Sequence, residues 1–85
     1  MDSIHTIKGD APELRTCDVT VTEAGSARLL RKEQVRGAFS FEFVSAGPLP
    51  PKLDIAAYCD GTKVKEVRDI APRTAGEIDL GKLAP

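Results

Sequence analysis

Apolar and polar positions alternate in twos along most of this chain. In Arg36–Phe43, Phe39, Phe41 and Phe43 alternate with Ala38, Ser40 and Glu42, so all three phenyl rings leave one face of an extended strand. Leu53, Ile55 and Ala57 repeat the pattern within Lys52–Cys59, against Lys52, Asp54 and Tyr58. Leu14–Thr22 does so again, with Cys17, Val19 and Val21 on one face and Asp18, Thr20 and Thr22 on the other. Asp60-Gly61 follows directly on Cys59 and predicts a tight hairpin, because such turns need positive φ. The return strand, Thr62–Ile70, spaces Val64, Val67 and Ile70 by threes, which predicts a bulge near Glu66 or a strand that ends early. A closing strand is expected over Glu77–Leu83, with Ile78 and Leu80 inward.

Punctuation divides these strands. Glu23–Ser26 and Ala71–Gly76 read as turns, and Gly47, Pro48, Pro50 and Pro51 forbid regular pairing between Val44 and Pro51. The stretch 46–51, AGPLPP, is expected to be a rigid corner rather than a ligand for a proline-binding module. Two segments carry weaker patterns. Met1–Glu13 mixes Gly9, Pro12 and charges, and reads as a loosely held arm in which Ile4 and Ile7 could form a short edge strand. Ala27–Gln34 favours a helix by propensity. Its shortness equally suits an edge strand with Leu29 inward and charges blunting the edge, and the strand is preferred. The expected fold is all-β: a small Greek-key β-sandwich of six to seven short antiparallel strands over 14–85. A second sheet is needed to shield the phenyl row.

The totals agree with one domain. Eighty-five residues cannot build two independent cores, and 41% apolar residues suits a single one. A formal net charge of −1 with interleaved signs gives no field to draw nucleic acid or anionic lipid. No apolar run approaches the ~20 residues of a membrane span. The opening residues lack the basic and apolar regions of a signal peptide, so a cytoplasmic location is the default expectation.

The strand pattern resembles the carboxypeptidase regulatory-like and transthyretin-like (prealbumin-like) β-sandwich domains. The residues that carry the resemblance are VTVTEAG at 19–25, RGAFSFEF at 36–43, PLPPKLDIAAYCDG at 48–61 and EIDLGKL at 77–83. Arg36 stands where that family has Asp, and Pro51-Lys52 replaces its Gly-Tyr. The resemblance implies an accessory or binding domain without catalysis of its own. The ureide-hydrolase branch of that fold works with His and Arg residues and a C-terminal Tyr-Arg-Gly-Ser, whereas this chain has one His and reads Gly81-Lys82-Leu83-Ala84-Pro85 over 81–85.

Few residues offer chemistry. If the strands holding Cys17 and Cys59 pair antiparallel, one register sets Val19 across from Ala57, Val21 across from Ile55 and Cys17 across from Cys59. Two states are then open: reduced, buried thiols, or a disulfide closing about forty residues and contributing around 4 kcal/mol. A single imidazole, His5, allows no His-based triad without a partner chain; it reads as an exposed, solvated side chain rather than a metal ligand with Cys17, Cys59 or Asp18, and no cofactor is expected. Ser40 reads as surface decoration. Arg28, Arg31, Lys32 and Arg36 form one basic group, and Lys63, Lys65 and Arg68 another. If adjoining, they would make a stripe for an acidic protein partner; otherwise they belong to a solvated mixed-charge face. Tyr58 is a candidate anchor on the same surface. Non-catalytic protein binding through an edge strand or loop face is the leading expectation. The alternatives are a structural domain of a secreted or surface protein stapled by Cys17–Cys59, and a small enzyme subunit sharing His5, Asp18, Arg36 and Tyr58 across an interface.

Overall fold

The structure, a computed structural model, describes residues 3–26, 28–45, 52–70 and 76–83. Its seven strands are β1 (Ser3–Ala11), β2 (Cys17–Glu23), β3 (Leu29–Val35), β4 (Gly37–Ser45), β5 (Leu53–Cys59), β6 (Thr62–Ile70) and β7 (Gly76–Lys82). They form a three-stranded sheet, β4-β1-β7, and a four-stranded sheet, β3-β2-β5-β6. After the β2–β3 hairpin the chain returns to the first sheet, where β4 pairs beside β1; this is a Greek-key β-sandwich. The AGPLPP corner and the turn at 71–75 lie outside the described residues.

The interior is built from the alternating positions. Ile7, Phe43 and Leu80 from one sheet join Val19, Val21, Leu53 and Ile55 from the other in a single apolar cluster. Each such buried side chain contributes roughly 1.5–3 kcal/mol of transfer free energy. Phe43 is buried in that cluster, while Phe39 and Phe41 pack against it half-buried. The phenyl row is therefore covered by a second sheet at one end and open at the other.

Register explains several local features. β2 pairs with β5 as Cys17↔Cys59, Val19↔Ala57 and Val21↔Ile55, the register that puts both alternating apolar sets on one face. Asp60 (φ 51) and Gly61 (φ 83) form the two-residue β5–β6 turn. Open space surrounds the position a Gly61 Cβ would take, so only backbone strain opposes a side chain there. Gly61→Ala is expected to cost about 1–2 kcal/mol, read as a lower urea midpoint at unchanged slope. At the far end, Gly81 (φ 67) resets the phase of β7, and the N–H of Leu83 donates to the Asp10 carbonyl at 2.8 Å. Leu83 thereby becomes fully buried.

Four expectations need correction. Residues 3–11 of the supposed arm form the central strand of the three-stranded sheet, with β4 on one side and β7 on the other. The pairing of β1 with β7 is parallel, so the strands are not all antiparallel. The strand expected from Leu14 begins at Cys17, and Leu14 is fully exposed. Leu29 points outward at 55% exposure, because a register shift between Val21 and Thr22 hands the inward place to Leu30. The bulge expected near Glu66 is present, as two irregularities that flank it. Lys63 and Lys65 pair with consecutive β5 residues and leave Val64 between them, and a second shift lies at Arg68–Asp69, where Asp69 has φ 59.

Candidate interaction surface

Cys17 and Cys59 sit directly across from each other on neighbouring strands, both buried, and are bonded as a disulfide. Neither sulfur reaches the surface, so the pair holds strands together and offers no nucleophile or ligand to an incoming molecule.

The two basic groups do not adjoin. Arg28, Arg31, Lys32 and Arg36 lie on or beside β3, and Lys63 and Lys65 lie on β6 with Arg68, at opposite edges of the four-stranded sheet. With strands ~4.8 Å apart, those edges are roughly 14 Å from each other. Acids also offset the cations locally: Arg28 pairs with Glu23 at 3.2 Å, Arg31 with Glu33 at 2.8 Å, and Lys63 and Arg68 share Glu66 at 3.0 and 2.9 Å. Exposed pairs of this kind contribute little to stability. The result is a mixed-charge surface with no basic stripe. The reason is topological: β2 and β5 intervene, and sheet order is not written in any local segment.

Glu66 and Lys63 are both shifted from their ordinary values. The hydrogen bond from Lys63 holds the Glu66 carboxyl below 4.5, with Arg68 adding to the effect, and Lys63 is raised above 10.5 by the same hydrogen bond and the charge of Glu66. A depressed carboxylate stabilises the fold above its unfolded value, and that contribution is lost as pH falls through the folded value. A raised lysine acts in the opposite sense, its contribution lost as pH rises through the folded value. The side-chain carboxyl carbon of Glu66 is accordingly expected to titrate by NMR with a midpoint below 4.5, returning toward it in Lys63→Ala.

Tyr58 lies half-buried on the outer face of the four-stranded sheet, across from Asp18, with the Lys63 ammonium 6.0 Å from its ring centre. Asp18, Thr20, Thr22, Leu29, Lys32 and Tyr58 border a shallow concavity of about 400 Å³. The hydroxyls of Thr20 and Thr22 donate to the Ala56 and Asp54 carbonyls at 3.4 Å, so both are turned into their own sheet. Asp18 and Tyr58 are thus neighbours, whereas Arg36 follows β3 at the sheet's edge and His5 belongs to β1 in the other sheet. Those four residues do not converge within one chain. Among the residues whose side chains are described, no three His, Cys, Asp or Glu side chains come together as a metal site, and no helix is long and apolar enough to cross a membrane.

The more distinctive surface is one that charge and aromatic counts did not single out. β3 and β4 are the edge strands on one side of the sandwich, and between them Phe39 and Phe41 are half-exposed with ring centres 6.3 Å apart. The Arg31 guanidinium lies 5.7 Å from the Phe41 ring centre while paired to Glu33, forming a removable polar cover. Glu33, Val35, Arg36, Phe39 and Phe41 are among the residues bordering a concavity of about 310 Å³ along this seam. Ala38, Ser40 and Glu42 face outward beside it. The alternation within 38–43 carried the phenyl row, and the pairing of β4 at the end of its sheet is what leaves two of the rings half-exposed. No family model, curated protein or solved structure matches the chain.

Proposed function

We propose that this domain is a non-catalytic binding module that recognises a protein partner through the β4 edge and the adjoining seam. The observation that carries the reading is the half-exposed Phe39–Phe41 pair beside a strand that, among the described residues, is hydrogen-bonded on one side only. Strand addition would satisfy the free backbone groups of β4 and dry the two rings together. An accessory role of the carboxypeptidase regulatory-like or prealbumin-like kind draws support from the two-sheet architecture and from strands at 37–45 and 53–59. A photo-crosslinking residue at Ser40, in protein expressed in its source cells, tests it. Specific protein adducts at Ser40, exceeding those from the same residue at Glu77 on the other edge of that sheet, support the reading. Equal or absent labelling at the two positions refutes it.

A second reading concerns where the domain works. The facing, bonded positions of Cys17 and Cys59 favour a secreted or surface protein, because such bonds persist in oxidising compartments. Thiol titration of natively isolated, denatured protein is expected to find no free thiol before reduction and two after it. Two free thiols before reduction would rule this location out.

A further inference from the structure

The four edge strands of the sandwich differ in a way that selects one of them. At the centre of β3 lie Arg31, Lys32 and Glu33; β6 carries Lys63, Lys65, Glu66 and Arg68 and breaks register with β5 twice; β7 carries Glu77, Asp79 and Lys82. Charges and bulges of this kind blunt an edge against further pairing. Among the described residues, β4 has no bulge and little charge. It is nine residues long, pairs with β1 residue for residue without a shift, and holds one charge, Glu42.

The midpoints sharpen the contrast. Two copies of one strand, paired antiparallel and centred, place the middle residue opposite itself. That residue is Lys32 in β3, Glu66 in β6 and Asp79 in β7, so three edges would set like charges face to face. In β4 it is Phe41. Counting outward from Phe41, Ser40 falls opposite Glu42 of the second copy, Phe39 opposite Phe43, and Ala38 opposite Val44. No position meets a like charge. The inward row becomes phenyl against phenyl across the junction.

We infer that a second copy of this chain is the partner the β4 edge takes. The two chains pair β4 to β4 across a two-fold axis at Phe41, and the three-stranded sheet runs on as six strands. The contact covers the half-exposed sides of Phe39 and Phe41 and uses free backbone groups on both copies. It rests on the reading of β4 as the binding edge and names the occupant.

Sedimentation velocity on the full chain, from low micromolar to near-millimolar concentration, tests it. The expected result is a weight-average mass that climbs toward two chains. Ser40→Glu, at an exposed position, sets like charges across both symmetry-related pairs and should weaken the dimer at least about tenfold. Ser40→Lys sets opposite charges there and should keep the dimer or tighten it. Thermal melts of the two variants confirm that both fold. A monomer throughout the range overturns the inference, as does equal weakening by both substitutions. If the wild type stays monomeric while a crosslinker at Ser40 still captures another protein, self-pairing has failed and the binding-edge reading stands; loss of both ends both.

Discussion

Reducing the Cys17–Cys59 bond is expected to destabilise the domain by about 4 kcal/mol, one of the two largest effects a single chemical change can have on this fold. The cysteines are 42 positions apart, so in the chain-entropy model the bond mainly restricts the unfolded ensemble. In the folded state it joins β2 and β5, which are already paired through hydrogen bonds, so it adds few contacts the sheet lacks. Both residues are buried, and the freed thiols would remain in the core as small apolar groups. A domain of this size has a total stability of only about 4–13 kcal/mol, so the loss is a large share of it. Thermal melts with and without reductant should differ by roughly 15–30 °C. The Cys17→Ala, Cys59→Ala double variant should melt at or below the reduced wild type, since it also loses packing volume. A difference of only a few degrees would show that the sheets hold the unfolded-state restriction by other means.

Much of the four-stranded sheet was legible from local pattern, and the reason is visible in particular residues. Val19, Val21, Ile55 and Ala57 alternate without a break, so a one-residue slip of β2 on β5 would turn one apolar set outward, and Asp60-Gly61 fixes the adjoining β5–β6 hairpin. Ile4 and Ile7 fall three apart, with Gly9 and Asp10 following, so no period of two marks β1. What makes that segment a strand is a partner on each side, a tertiary cause that a local window does not contain. Leu29 and Leu30 are adjacent, and which faces inward depends on a one-residue shift opposite Val21 and Thr22. Whether the two basic groups adjoin into a stripe or belong to a mixed-charge face, as they do, lay beyond local pattern for the same kind of reason. Arg31 and Lys63 each read correctly as exposed cations, but their separation is decided by two strands lying between their edges. The Phe39–Phe41 seam was half legible: the row could be read from alternation, while its place at an edge could not.

Ile7→Ala is expected to cost about 2–5 kcal/mol and so to approach or exceed the effect of reducing the disulfide. Ile7 is 0% exposed, stands across from Phe41 in β4 and Ile78 in β7, and belongs to the cluster that unites the two sheets. Truncation removes its branched side chain from a position flanked by strands on both sides and packed in the cluster that joins the two sheets, and leaves a cavity there. A loosely held arm would respond quite differently, since substitutions in such a segment usually change stability by no more than about 0.5 kcal/mol. Urea unfolding of the oxidised variant separates the two descriptions. A midpoint that falls sharply at unchanged slope identifies β1 as part of the cooperative unit, and an unmoved midpoint would return the segment to the status of an appendage. Removing residues 1–11 is the stronger form of the same experiment. β4 and β7 would lose the strand that each is hydrogen-bonded to, the three-stranded sheet would cease to exist, and the four-stranded sheet would expose the apolar face it now buries. The shortened chain is therefore expected to be unfolded even with Cys17 and Cys59 still bonded.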